Sequence, residues 1–231
     1  MSRPSIRRAL RRAGAAAPPR PPRTGPRNLG RVPPPRIFLP GEGEDAGPVD
    51  FPAVFGRVAP VEMEIGVGKG RFLLAAASAR RDCDFFGLEI EPEYAAITRL
   101  RAERAGLSNL RCERLDGKAF VLRRLSPASL AALHVYFPDP WPKKRHHKRR
   151  LVDPEWAAAA ARALVPGGLL RIASDHMEYF GVMDDVFARE PLLERVTAEE
   201  TGEWSTGTSY EIKFAKSGRP VRRAVFRRRA D

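Results

Sequence analysis

The chain has 231 residues and a formal net charge of +13, with 41 Lys and Arg against 28 Asp and Glu. That length holds one packed domain of about 150–200 residues and a tail, and it contains no apolar run of the roughly 18 residues that a membrane span requires. The two cysteines, Cys83 and Cys112, lie in apolar runs without His partners at ligand spacing, which argues against a zinc site and for two buried, reduced thiols.

Residues 1–40 hold ten Arg, ten Pro and no Lys, Asp or Glu, so they supply +10 of the net charge and leave +3 for residues 41–231. Such a segment buries too little apolar surface to offset its ordering entropy and is expected to be disordered. It lacks the apolar core of a secretory signal. Its Arg-rich, acid-free composition suits a transit peptide, whereas its many prolines and few serines do not. The charge balance points to a polyanionic partner, nucleic acid before an anionic membrane surface. Any basic patch on the globular part must be local, and its densest block is residues 143–150.

Residues 41–60 read as a loop-rich approach with acids at Glu42, Glu44, Asp45 and Asp50, and residues 61–231 as the folded domain. Val61–Ile65 is a short strand ending in glycines, and Arg71–Ala79 a helix. Asp84–Ile90 is the second strand, followed by a helix over Pro92–Ala105 with Pro at its start. Asn109–Leu115 is a third strand, Ala119–Leu125 a helix and Leu130–Phe137 a fourth strand. Asp153 is a candidate N-cap for a helix over Pro154–Leu164, which stops before Pro166-Gly167-Gly168. Leu169–Ser174 is a fifth strand and His176–Arg189 a helix. Two β-like runs, Tyr210–Ala215 and Arg222–Arg228, flank a Lys-Ser-Gly-Arg-Pro turn. The alternation predicts an α/β fold, with a mostly parallel sheet, helices on both faces and an antiparallel edge hairpin.

The segment Glu64-Ile-Gly-Val-Gly-Lys-Gly closes the first strand and opens the first helix. Its glycines let a ligand approach backbone at a helix N-terminus. The third glycine, Gly70, arrives one residue too early for a dinucleotide-binding fingerprint, and Glu64 would repel a pyrophosphate. Glu64 suits a cationic ligand such as a sulfonium with its amino acid moiety. Glu89, at the end of the second strand, can accept hydrogen bonds from both ribose hydroxyls. Its neighbour Glu91 precedes Pro92 and reads as the start of a helix. Asp116 can meet the exocyclic amine of an adenine or simply cap a helix.

Residues 137–150 read Phe-Pro-Asp-Pro-Trp-Pro-Lys-Lys-Arg-His-His-Lys-Arg-Arg. Prolines on both sides hold Asp139 in a stiff, non-helical loop at a strand's C-terminal end. The cations that follow can grip phosphate, although a solvated charge run is the plainer alternative. Four strands thus end in acids, Glu64, Glu89, Asp116 and Asp139, which together suggest a nucleoside site.

Glu-Ile-Gly-x-Gly-x-Gly, Gly-Leu-Glu-Ile, the Phe-Pro-Asp-Pro-Trp block with its basic tail and the late Thr-x-x-Glu resemble the bacterial tRNA (guanine-N7)-methyltransferase family from about Val61 to Phe226. The resemblance implies a Rossmann-like class I methyltransferase with a seven-stranded sheet. It implies S-adenosylmethionine at Glu64, Glu89, Asp116 and Asp139, with Asp139 also the active-site acid. Substrate contacts then fall on Lys143, Asp175, Thr208, Ser209, Tyr210 and Glu211, and RNA contacts on Arg145, His146, His147, Lys148, Arg149 and Arg150. Pro142 departs from the family, whose members often carry His there, and the Arg/Pro-rich tail has no counterpart that aligns. The implied product is 7-methylguanosine at position 46 of the tRNA variable loop, made by a cytoplasmic enzyme that is a monomer or weak homodimer and uses no metal.

Apart from the resemblance, Asp175 reads equally as the cap of the helix that begins at His176, and Thr208–Glu211 as an ordinary entry into a strand. His146 and His147 are RNA-facing or solvated rather than catalytic. Trp141 is balanced between base stacking and packing over the sheet edge, and Trp156 reads as core. A methyltransferase of small molecules or proteins and a non-catalytic RNA-binding module remain the competing classes. The glycine spacing and Glu64 disfavour a nicotinamide dehydrogenase.

Overall fold

The computed structural model describes residues 47–201 and 207–230. Its first strand, β1 (Val61–Ile65), is central. It pairs in parallel with β2 (Asp84–Leu88) on one side and β4 (Leu130–Tyr136) on the other. β3 (Leu110–Glu113) extends the sheet beyond β2, β5 (Leu164–Ser174) lies beside β4, and β7 (Arg222–Arg228) and β6 (Leu193–Val196) complete it antiparallel, in the order β3-β2-β1-β4-β5-β7-β6. Chain order therefore reverses between β1 and β4. That switch opens a crevice outside the C-terminal strand ends, where such sheets bind ligands.

The sheet is covered on both faces, so its inner strands are buried almost throughout. Side chains alternate across a strand, and adjacent Phe85 and Phe86 duly fall into two different hydrophobic clusters. The larger packs Phe86, Leu133, Val135 and Phe226 with Trp156, Tyr179 and Phe187, and the smaller packs Phe85 and Cys112 with Leu73 and Ala77. The crossover helices are α2 (Arg71–Ala79), α3 (Pro92–Arg104), α4 (Gly117–Arg124), α5 (Pro154–Ala163) and α6 (Met177–Ala188). Asp116 and Asp153 cap α4 and α5 by accepting backbone N–H bonds. Both cysteines are buried and free, and burial pushes the Cys83 thiol up to about 11.

Five elements differ from the sequence reading. A short helix, α1 (Phe51–Phe55), interrupts the expected loop-rich approach: Asp50 accepts from Ala53 N, and Phe51 and Val54 enter the core. β5 begins at Leu164 rather than Leu169, with Pro166-Gly167-Gly168 inside it where the register against β4 shifts. A side chain at Gly168 would lie 2.8 Å from the Val165 carbonyl, so a proline–glycine pair that usually ends an element here makes an irregularity instead.

The largest correction concerns Tyr210–Ala215, which is not a strand but part of the helix α8 (Ser209–Ser217). Tyr210, Ile212 and Phe214 alternate as in a strand. The Thr208 cap, which accepts from Glu211 N, and left-handed Gly218 nevertheless delimit a helix that buries Glu211 and Phe214. The antiparallel neighbours of β7 are β5 and the short β6, which alternation did not mark. Finally, His176 rather than Asp175 caps α6, its Nδ1 accepting from Tyr179 N. The short helix α7 (Ala198–Thr201) precedes the second described stretch. The expected disorder of residues 1–40 and the acids Glu42, Glu44 and Asp45 lie outside the described residues. Among those residues no helix is long and apolar enough to cross a membrane.

Candidate active site

The glycine turn after β1 is held from two sides. Gly66 N and Val67 N donate to the Leu88 carbonyl at 2.8 and 3.3 Å. Glu89 Oε2 accepts from Gly68 N at 2.7 Å, and its Oε1 accepts from Glu91 N at 2.9 Å. Gly66, Gly68 and Gly70 have φ of 79°, 53° and 71°, a region costly for other residues. Gly70 is also tight, since a Cβ there would lie 2.5 Å from the Thr98 side chain, whereas a Cβ on Gly66 or Gly68 would meet nothing within 4 Å. The turn is therefore a braced but open backbone cradle. Glu89 is buried and helps to build it, and each of its oxygens retains a lone pair for a ligand.

Glu64 lies beside this turn at the penultimate position of β1. It is 2% exposed, and its Oε2 has no partner among the described residues. Burial, reinforced by the Glu89 charge, pushes its carboxyl well above the usual range. An unpartnered buried carboxyl at an open backbone cradle is a place for a cationic ligand. Asp116 is exposed and acts as a cap: its Oδ1 accepts from Lys118 N and Ala119 N at 2.7 and 3.1 Å. The capping role does not use Oδ2. Glu91 occupies the cap position of α3 but makes no side-chain cap bond.

Across the switch point, β4 runs into the Pro-Asp-Pro loop. Phe137 and Trp141 take φ of 54° and 42°, unusual for residues with a side chain, and so bracket Asp139 between two strained positions. Phe137 N donates to the Ala173 carbonyl at 2.8 Å, and its ring packs on Tyr210 and Phe214 of α8, centroids 5.8 and 5.6 Å apart. The Asp139 carboxylate is exposed and accepts no hydrogen bond from another described residue. Trp141 is half-buried, with the Arg149 guanidinium 4.9 Å from its ring and the His146 ring edge-on at 5.8 Å.

Lys144–Arg149 then forms a 3₁₀ helix, with Lys143, Lys144, Arg145, Lys148 and Arg149 exposed and His146 and His147 half-buried. Arg150, the last of the expected RNA-contacting residues, is only 6% exposed, and its side chain bonds the Pro140 carbonyl and the exposed Glu178 carboxylate.

The third side of the site comes from α8, joined to the loop by the Phe137–Tyr210–Phe214 rings. Asp175, after β5, pairs with Arg219 at 2.8 Å. Thr208 and Glu211 are buried: the first caps α8, and the second pairs with Arg223 and accepts from Gly207 N at 2.9 Å. Of the expected substrate segment, Ser209 and Tyr210 are exposed. Arg71 Nε donates to the Gly207 carbonyl at 3.0 Å, which ties the start of α2 to this segment.

Sequence reasoning missed a buried polar chain beneath the site. Arg80 donates to both Glu62 oxygens at 2.5 and 2.8 Å. His134 Nε2 lies 3.0 Å from Glu62 Oε2, and its Nδ1 lies 2.8 Å from Tyr136 Oη. Burial alone would raise the Glu62 carboxyl, but the bonds from His134 and Arg80 outweigh it and bring the carboxyl down to about 2. Burial lowers His134 and raises Tyr136. A neutral imidazole donating from Nε2 to Glu62 and accepting the Tyr136 hydroxyl satisfies all three groups. The available signal was the charge pattern of β1, whose two acids share a face of a central strand.

Residues 58–224 match the family model described as "Putative methyltransferase". The chain is 42% identical over 185 residues to the tRNA (guanine-N(7)-)-methyltransferase of Cutibacterium acnes, covering 78% of this chain and 67% of that protein. It is 37% identical over 231 residues to the protein of the same name from Cupriavidus necator, covering 97% and 84%. Among solved structures, the 16S rRNA methyltransferase KamB superposes with a TM-score of 0.52 at 15% identity, covering 78% of this chain and 93% of that one. The aminoglycoside resistance methyltransferase NpmB1 gives 0.51 at 18%, covering 73% and 87%. These two likenesses establish the class I methyltransferase fold.

Proposed function

The chain belongs to the tRNA (guanine-N(7)-)-methyltransferase family, and we propose that it transfers a methyl group from S-adenosylmethionine to N7 of guanine 46 in the tRNA variable loop, forming 7-methylguanosine. The observation that carries this reading is the single stretch 137–150. It presents an unengaged carboxylate at the switch point of the sheet and then, without interruption, a row of exposed cations. One segment thus offers an acceptor for a base and donors for the phosphates around it.

The residues present fit S-adenosylmethionine. The Glu64 carboxyl lies where a cation would restore its charge, Glu89 has lone pairs for ribose hydroxyls, and Asp116 has one oxygen for an amine. When bound, S-adenosylmethionine supplies a methyl group on a sulfonium, so positive charge moves to the purine rather than being created. Guanine N7 carries its own lone pair, and no residue need act as general base. Asp139 accepts hydrogen bonds from the guanine N1–H and amino group, which selects guanine and favours the charge growing on its ring. Asp175 can share this contact but is already engaged by Arg219, so the larger role falls to Asp139. Tyr210 and Ser209 face the substrate from α8, with Lys143 at the loop. Arg145, Lys148 and Arg149 hold phosphates, and the target base leaves its stack to reach the site. A tRNA substrate fits action in the cytoplasm.

The deciding experiment is mass spectrometry of tRNA nucleosides after incubation with the protein and labelled S-adenosylmethionine. Labelled 7-methylguanosine at position 46 is the expected product. Label on free guanosine or on protein, with none on tRNA, would refute the reading.

A further inference from the structure

The Phe-Pro-Asp-Pro-Trp loop cannot brace itself. Pro138, Pro140 and Pro142 have no backbone N–H to offer, so the loop's carbonyls must find donors elsewhere. One donor is Arg150. Its Nε donates to the Pro140 carbonyl at 2.9 Å, and its Nη2 reaches both Glu178 oxygens, in the first turn of α6, at 3.0 and 3.2 Å. The guanidinium lies 4.7 Å from the centre of the Tyr179 ring, and the Tyr179 hydroxyl accepts from Val152 N at 3.3 Å. The residue's backbone is held too: its N–H donates to the His147 carbonyl at 2.9 Å, and its carbonyl accepts from Lys118 Nζ at 3.1 Å. A guanidinium presents its donors in a rigid planar fork, so it holds the carbonyl and the carboxylate in fixed relative directions, whereas an ammonium on a flexible stem is a point charge.

We propose that Arg150 is a positioning residue that clamps the Pro140 carbonyl to α6, thereby fixing Asp139 in the adjacent position, and that it makes no contact with RNA. The proposal separates Arg150 from the exposed cations immediately before it. It rests on the reading of Asp139 given above.

The test compares Arg150→Gln and Glu178→Gln with the wild type in two measurements. One is the single-turnover methylation rate at saturating tRNA and S-adenosylmethionine. The other is tRNA affinity as a function of salt, without turnover. Arg150→Gln is expected to lower the rate at least tenfold, with tRNA affinity within twofold and an unchanged log–log salt slope. Glu178→Gln, a change at a largely exposed side chain, is expected to lower the rate two- to fivefold without altering binding. A salt slope reduced by about 0.7–0.9 in Arg150→Gln would mark a lost phosphate contact and overturn the proposal. So would wild-type rates in both variants, or in Glu178→Gln alone should Arg150→Gln fail to fold. The salt slope requires no turnover, so it judges Arg150 even if the methylated atom is not N7.

Discussion

Glu62 and Glu64 stand two residues apart on the same face of the same strand, and their surroundings treat them oppositely. Glu62 receives Arg80 on both oxygens and His134 on one, and it is ionised down to about pH 2. Glu64 keeps one buried oxygen without a partner among the described residues, and burial drives its carboxyl up. The first is a finished piece of structure, whereas the second keeps an open acceptor among the described residues. Identical residues in one strand can thus be sorted into scaffold and site by asking whether their polar atoms are satisfied. The loop repeats the contrast with cations: Arg150 is fully engaged, while its neighbours face outward.

Asp139 is the open acid of the loop and should show the largest effect. Asp139→Ala is expected to cut methyl transfer on the order of 10³-fold, about 4 kcal/mol of transition-state stabilisation, with no loss of thermal stability. Turnover within tenfold of wild type would remove Asp139 from the site.

Glu62→Ala should do the reverse. Leaving His134 and Arg80 without their acceptor is expected to cost about 3 kcal/mol in denaturant unfolding. Half-exposed Arg80 can turn to water, which keeps the figure below that of a fully buried pair. A carboxyl held low stabilises the fold above its unfolded value near 4.5 and loses that contribution as pH falls through about 2. The gap between wild type and variant should therefore be full at neutral pH and close below pH 4.5. A gap independent of pH would show that lost packing, not charge, sets the cost.

Glu64→Gln sharpens the same contrast with a smaller effect. It should weaken S-adenosylmethionine at least tenfold, about 1.4 kcal/mol, yet raise the melting temperature of the ligand-free protein by about 2–4 °C. The sign follows from the raised carboxyl: above pH 4.5 the unfolded chain releases a proton that the folded protein retains, so stability declines with rising pH until the folded group also ionises. The advantage of Gln should vanish below about pH 4.5. Destabilisation at neutral pH would mean that Glu64 has a structural partner after all.

The gentlest test addresses the outward cations. Replacing Arg145, Lys148 and Arg149 by Ala should flatten the salt dependence of tRNA binding by roughly 0.7–0.9 per lost phosphate contact. An unaltered slope would reduce the run to a solvated face.

Much of the sheet was legible because its strands carry strong local signals. β1 and α2 run where hydrophobic pattern and glycines placed them, and the acids ending β1, β2 and β3 lie at the edge expected of them. Two of the misreadings arise where local rules were at odds, and a third where no local signal existed. In α8, aromatic alternation competed with a Thr cap and a Gly stop, and the caps won because the helix buries Phe214 against Phe137. In β5, Pro-Gly-Gly signalled a stop, but pairing of Leu164 with Leu130 carried the strand across it. β6 has four residues with no alternation, and only its ladder with β7 makes it a strand.

What the sequence determined by itself was the alternation of strands and helices from β1 to α6, the glycine turn, the stiff loop around Asp139 and the block of cations behind it. All of these follow from residues close together in the chain, where φ restriction, capping and periodicity operate. Which charges are satisfied was decided by the tertiary structure alone. Glu62 meets His134 across 72 positions, Arg150 meets Glu178 across 28, and Asp175 meets Arg219 across 44. Contacts of such separation depend on register and crossover geometry, which no local pattern encodes. They are what leaves Glu64 and Asp139 open and closes the polar groups around them.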